Sequence, residues 1–279
     1  MKNSPLVSVI IPAYNHELYI EEALQSVIDQ TYKNIEFIII NDGSTDRTAE
    51  RIEKFIKINQ DKNIQFVNKQ NEGVCKTMNK GLAMATGDYV AFLASDDLWL
   101  PDRISIQLEF MEKNKNIGMV FSDAWFFRFN TKTNIKWSDY KTGIRKYFKN
   151  GIQNIDMYTL LLTKPMIPAL TVMIRKNVLD VVGFFDANLV AEDDEMWLRI
   201  AREYPIAYVD VPLALYRMHD GNSSSNTRLG IKCMVQTISK HLRMEPLNNQ
   251  PIMCFAIVNR LAFNLLVNRF RKMFIKKDV

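Results

Sequence analysis

Short, largely apolar runs closed by polar turns recur through the first half of the chain, and between them apolar residues return every three or four positions. The runs Val7–Ile11, Glu36–Ile40, Ile64–Val67 and Tyr89–Leu93 have the length and β-branched content of buried strands. The stretches Leu18–Ile28, Asp46–Ile58 and Val74–Met84 repeat at helical spacing, and a further helix begins near Pro101, a residue suited to a first turn. Such alternation predicts an α/β fold: a mostly parallel sheet flanked by helices, with ligands beyond the carboxyl ends of its strands.

Periodicity weakens across Ala124–Pro168, where aromatics (Trp125, Phe126, Phe127) meet a Lys/Thr/Asn-rich stretch, NTKTNIKWSDYKTG. This region reads equally as an excursion shaping an acceptor side and as irregular surface structure. Beyond it, Thr171–Arg175 predicts a strand, Asp193–Arg202 a helix with Met196, Trp197 and Ile200 on one face, and Ile206–Val209 a short strand. The remainder after Ser223 reads as helical, and no repeat or low-complexity tract interrupts it.

A chain of 279 residues with 47% hydrophobic content is long enough to bury a substantial core. Its three cysteines, Cys75, Cys233 and Cys254, have neither paired nor metal-ligand spacing, which fits a reducing, cytoplasmic setting. MKNSP leads directly into VSVII without a leader-like apolar region, and the apolar stretch Ile252–Val267 is broken by Asn259, Arg260 and Asn264. Neither secretion nor a membrane span is expected. The net charge of +5 is unevenly placed, because between Pro246 and Lys277 six basic residues occur without an acidic one. With Phe263, Leu266, Phe270 and Phe274 among those charges, the segment fits two roles. It suits peripheral contact with anionic lipid on the inner face of the plasma membrane, or packing on the rest of the chain or on a homodimer partner.

The candidate chemistry lies where strands end. Carboxylates that close apolar runs do not serve the core, and three clusters do so: Asp42 in NDGSTD, Asp96-Asp97 in FLASDD, and Glu192-Asp193-Asp194-Glu195 in VAEDDEMW. Pro12 and Tyr14 stand in PAYN where proline should end strand pairing, and Tyr14 there either lies against a base or sugar or packs on the next helix. Gly43 permits a tight turn, leaving Asp42 either an ordinary turn residue or an acceptor for a ring N–H such as uracil N3. Lys76 reads as a solvated charge or a phosphate partner. Adjacent Asp96 and Asp97 repel unless a cation or a donor-rich ligand compensates, although one of them could also cap the following helix. The acidic start of the 193–202 helix exceeds what capping and the macrodipole require, so one of these residues is a candidate general base. In YRMHDG, Arg217 and His219 fall on one side of an extended chain, an arginine suited to diphosphate and an imidazole suited to a nitrogen-tolerant ion such as manganese.

Taken in order, PAYN, NDGSTD, NEGVCKTMNKG, GDYVAFLASDDLW, EDDEMWLR and YRMH closely resemble the motifs of the family 2 glycosyltransferases of the GT-A fold, across Val7–Asn222. That resemblance implies a Rossmann-like nucleotide-sugar-binding domain over 1–222, with a donor half at about 1–123 and an acceptor half at about 124–222, followed by a helical basic extension over 223–279. It implies inverting transfer from a nucleotide-diphosphate sugar, most simply a UDP-sugar, to a hydroxyl of a glycan or lipid-linked acceptor in surface polysaccharide or lipopolysaccharide assembly, with no role for nucleic acid. By similarity, Pro12, Tyr14 and Asp42 contact the nucleoside, Asp96 the ribose, and Arg217 the diphosphate. Asp97 and His219 would hold a divalent metal, Mn2+ or Mg2+, and Asp193 would be the catalytic base. Ala94 stands where many members carry a further aspartate, which leaves the division of labour between Asp96 and Asp97 open. A catalytically silent nucleotide- or glycan-binding protein is the alternative. A dinucleotide oxidoreductase is disfavoured, because PAYNHE rather than G-x-G-x-x-G follows the first strand.

Overall fold

A computed structural model describes residues 4–128, 131–140, 143–164, 166–189, 193–222 and 227–244. The first half forms β1 (Val7–Ala13), α1 (Ile20–Ile28), β2 (Ile35–Asp42), α2 (Thr48–Ile58), β3 (Ile64–Lys69), α3 (Val74–Met84) and β4 (Tyr89–Phe92). There follow β5 (Leu98–Trp99), α4 (Arg103–Lys113), β6 (Met119–Arg128), β7 (Thr131–Lys136), α5 (Trp137–Tyr140), β8 (Phe148–Lys149), β9 (Ile152–Gln153) and α6 (Met157–Thr163). The chain continues through β10 (Met173–Arg175), α7 (Lys176–Val182), α8 (Asp193–Glu203), β11 (Ile206–Arg217) and α9 (Thr227–Met244).

The strands form one sheet in the order β3-β2-β1-β4-β10-β6-β11-β9-β8, with β5 added to β11 and β7 to β6. Its first four strands are all parallel, β10 runs antiparallel between β4 and β6, and β6 is parallel to β11. Alternate residues feed two cores. Ile10, Ile38 and Ile40 pack in one with α3 and α8, whereas Val9, Ile11 and Ile39 pack in the other with α1 and α4. Burial on both faces is why these strands read as continuous apolar runs rather than as alternation.

Several elements differ from expectation. β11 continues to Arg217 instead of ending at Val209, because the sheet absorbs the Asp210-Val211-Pro212 interruption as register shifts against β6. Thr171 belongs to a 3-10 turn, Ala169–Thr171, and the strand begins only at Met173. The 124–168 region contains the end of β6, its hairpin partner β7 and α5, whose Trp137 stacks on Phe126 at 5.8 Å and meets Tyr216 edge-on at 5.6 Å. Helix α9 bears out the helical reading as far as Met244. Glu192 and the basic stretch after Pro246 lie outside the described residues. Among the described residues, no helix is long and apolar enough to cross a membrane.

Candidate active site

Strand β1 does not stop at its proline. Pro12 and Ala13 still pair with Ile40 and Asn41 of β2, while pairing with β4 ends at Ile10. The carbonyl of Ile10 accepts from Leu93 on the β4 side. Two residues on, the missing N–H of Pro12 faces the same side, where β4 has already ended, so the proline leaves no ladder bond unmade. Pro12 lines a cavity of about 330 Å³ at this edge, and Tyr14 just beyond it is 46% exposed.

Asp42 closes β2, and the turn after it requires Gly43. This glycine has φ +70°, and a Cβ there would meet the Asn71 nitrogen at 2.5 Å. The close approach brings the N–H groups of Glu72 and Gly73 to Asp42 at 2.9 and 3.0 Å, and Lys69 adds an ion pair. Burial acts to raise the Asp42 carboxyl, but the Lys69 and Glu72 hydrogen bonds outweigh it and hold the group below its ordinary value. Lys76 is exposed and lies 3.9 Å from Glu72, consistent with its solvated reading.

The two aspartates after β4 part company. Asp96 Oδ2 meets His219 Nε2 at 3.0 Å, Asn222 Nδ2 at 3.3 Å and His16 Nε2 at 3.9 Å. Asp97 turns inward, where its Oδ1 accepts the backbone N–H of Arg217 at 2.8 Å. Burial, compounded by the neighbouring Asp96 charge, pushes Asp97 well above the usual carboxylate range. For Asp96, burial is overcome by the His219 hydrogen bond and by the charge of His16 and His219, so its carboxyl stays low.

His16 was not singled out by the sequence, although it directly follows PAYN at the strand edge that carries the acidic turns. Its Nδ1 is 2.7 Å from Ser95 Oγ, and burial lowers its imidazole despite the pull of Asp96. One ligand atom from each of His16, Asp96 and His219 lies within 4.8 Å of the others. Two imidazoles and a carboxylate converging in this way fit a divalent transition ion better than a hard ion that prefers oxygen. Asn222, also unforeseen, donates to Asp96 and to the Arg217 carbonyl at 3.0 Å, and accepts from the His219 N–H at 2.6 Å.

Arg217 is buried at the end of β11. Its Nε donates to the Asp96 carbonyl at 2.7 Å, and its Nη2 pairs with Glu22 at 2.6 Å. With Tyr19, Arg128 and His219 it borders a second cavity of about 460 Å³. Asp193 opens α8, where its Oδ1 accepts the Asp194 N–H at 2.8 Å. It lines the first cavity together with Pro12, Asp96, Trp137, Tyr216 and Asn222. The fold therefore gathers Pro12, Asp96, Asp97 and Asp193 around one cavity and puts His219 and Arg217 at the next. Asp42 borders neither of these two cavities.

The chain resembles known proteins in both sequence and fold. Residues 8–183 match the profile described as Glycosyl transferase family 2. An uncharacterized glycosyltransferase of Haemophilus influenzae is 36% identical over 81% of this chain and 69% of its own length. One from Methanocaldococcus jannaschii is 32% identical over 77% of this chain and 72% of its own length. The chain spans only 34% of a similar protein from Rickettsia felis. In fold, it resembles the mannosyltransferase PcManGT of Pyrobaculum calidifontis, solved with GDP-Man and Mn2+, at a TM-score of 0.68 and 18% identity, over 94% of this chain and 74% of that one. Staphylococcus aureus TarS 1–349, solved with UDP-GlcNAc, gives 0.63 and 18% over 96% of this chain and 92% of that one.

Proposed function

Because this chain belongs to glycosyl transferase family 2 and has the GT-A architecture of its structural neighbours, we propose that it moves a sugar from a nucleotide-diphosphate donor to an acceptor hydroxyl with inversion at the anomeric carbon. The observation that carries this reading is that Asp193 and Asp96 line one cavity. In this reading a base and a diphosphate site share a space that a sugar would fill.

In this reading Pro12 and Tyr14 flank the nucleoside and Asp42 faces its base, the two neighbours' GDP-Man and UDP-GlcNAc being the same class of donor. A UDP-sugar is the donor we favour. His16, Asp96 and His219 would hold the divalent ion, Mn2+ in preference to Mg2+, and the bound ion would supply positive charge to the departing diphosphate. In this reading the duty passes from Asp97 to Asp96, because Asp96 meets His219 while Asp97 accepts the Arg217 N–H. Arg217 adds its guanidinium charge at the diphosphate.

The chemistry is a single displacement. Asp193 accepts the acceptor hydroxyl proton as that oxygen bonds to the anomeric carbon from the face opposite the diphosphate. The bond from carbon to diphosphate oxygen breaks, and its electron pair leaves with the nucleoside diphosphate. One carboxylate suffices, because the leaving group departs as an anion without needing a proton.

The acceptor we propose is a glycan or lipid-linked hydroxyl in surface polysaccharide assembly. Cytoplasmic residence and peripheral attachment through the basic segment belong to the same reading, and flotation with anionic vesicles, with and without residues 260–279, tests the attachment. The central experiment measures sugar-nucleotide hydrolysis and transfer with Mn2+ added or chelated. Asp193→Asn should keep nucleotide binding and lose turnover by about 10²-fold or more. Turnover at the parent rate would reject the base assignment.

A further inference from the structure

Glu195, two residues after the proposed base, is fully buried and gathers two cations. Arg199 donates to both of its oxygens, with Nε at 3.0 Å from each and Nη2 at 2.9 Å from one. The same guanidinium donates to the carbonyls of Val182, Gly183 and Phe184, the last at 2.8 Å. The second cation comes from the other end of the described chain. Lys240, on α9, places Nζ 2.7 Å from Glu195 Oε1 and 2.8 Å from Asp186 Oδ2. Its neighbour His241 is fully buried and lies 3.2 Å from the Tyr158 hydroxyl on α6 and 3.7 Å from Glu195.

Stability alone does not account for this cluster. Buried ion pairs are often matched or exceeded by apolar side chains of the same volume, and a methionine would cover the surface that the Lys240 stem covers. What an apolar residue would not do is fix two carboxylates at one separation. Asp186 follows Phe185, which lines the cavity, and Glu195 sits in the first turn of the helix that begins with Asp193. A single ammonium thus sets the cavity wall and the helix of the base relative to each other.

We infer that Lys240 is a positioning residue for Asp193, acting by tying Asp186 to Glu195, so that the C-terminal helix forms part of the active-site framework; this inference rests on the reading of Asp193 as the base. These ion pairs of Lys240 run to Asp186 and Glu195 rather than to Asp193 itself. Lys240 acts through the placement of α8.

The test compares Lys240→Met, Lys240→Arg and Asp193→Asn in the full chain. Backbone amide exchange needs no substrate. Lys240→Met should speed exchange at least tenfold around Asp186 and in the first turns of α8 and leave β1–β4 unchanged, and Lys240→Arg should restore protection. Hydrolysis of UDP-N-acetylglucosamine and GDP-mannose with Mn2+ adds the catalytic readout. There, kcat should fall about tenfold in Lys240→Met with the donor KM within twofold, and should recover to within threefold in Lys240→Arg. Exchange unaltered around Asp186 and α8 overturns the inference, as does a parent kcat in Lys240→Met while Asp193→Asn is inactive. If Asp193→Asn itself turns over at the parent rate, the base reading fails instead, and the exchange result still decides whether Lys240 holds the two elements together.

Discussion

The backbone N–H of Arg217 donates to Asp97 Oδ1 at 2.8 Å, joining two positions 120 residues apart. The bond anchors the end of β11, and with it the turn that carries His219, to the turn after β4. Burial and the Asp96 charge hold Asp97 above the usual carboxylate range, so its neutral acid is the form the fold prefers. Asn is close in shape to that acid and keeps an acceptor for Arg217, whereas Ala leaves the N–H buried and unmade. Asp97→Ala should therefore cost about 1–3 kcal/mol in urea unfolding, and Asp97→Asn less than about 1 kcal/mol. The sign of the pH effect follows. A carboxyl whose folded value is raised stabilises most below its unfolded value, and that contribution is lost as pH rises through the folded value. Asp97→Asn should flatten that part of the stability curve; an unchanged slope would exclude Asp97 as its source.

Glu195 should show the opposite sign. Burial would raise its carboxyl, yet His241, Arg199 and Lys240 together bring it from 4.5 down to about 2. Its stabilisation is complete above pH 4.5 and is lost as pH falls toward 2. A depression of that size is worth up to about 3 kcal/mol. Glu195→Gln should lower stability by roughly this amount at pH 7 and shrink the gap from the parent in acid, measured by urea midpoints across pH.

Gly43→Ala tests the turn below Asp42. The left-handed backbone and the 2.5 Å approach to the Asn71 nitrogen act together, because the obstructing atom is backbone rather than a flexible side-chain end. A loss of about 2–4 kcal/mol is expected. At Gly73 φ is also positive, with ψ 159°, but nothing lies within 4 Å of an added Cβ, so Gly73→Ala should cost less, about 1–3 kcal/mol from the backbone alone. Equal losses at the two sites would remove steric approach as the distinguishing cause.

How much of this was legible in the sequence depended on the range of the interaction. Strands β1, β2 and β4 were readable because both faces are buried, and apolar runs with polar ends admit few other folds. The placement of Pro12, Asp96, Asp97 and Asp193 at one sheet edge followed from the same logic. The different surroundings of Asp96 and Asp97 were not readable. Adjacent residues in a turn point in different directions, and only the arrival of Arg217 and His219 from β11 separates their hydrogen-bond partners. His16 was hidden for a related reason: a lone histidine after a strand has no partner within its own segment, and its partners Ser95 and Asp96 come from another turn. The full length of β11 was obscured by Pro212, whose effect the sheet absorbs locally.

The last prediction concerns His16 and the ion. The N–H of Gly221 donates to His219 Nδ1 at 3.2 Å, which leaves Nε2 to carry the ring proton toward Asp96. An ion taking Nε2 would require the tautomer that carries the ring proton on Nδ1, where that proton displaces the Gly221 contact, so Mn2+ binding should shift the turn around Gly221. His16 starts differently. With Nδ1 held at Ser95 and the ring kept neutral by burial, its Nε2 is free to donate a lone pair if Nδ1 carries the proton. His16→Ala should weaken Mn2+ binding at least tenfold by titration calorimetry or by the Mn2+ resonance signal, and Ser95→Ala should do so to a smaller degree. Mg2+ binding should change little in either variant, because an ion that prefers oxygen gains least from the imidazole. Equal losses for the two ions would show that His16 shapes the loop without ligating, whereas a loss confined to Mn2+ would mark its imidazole as the group that selects the metal.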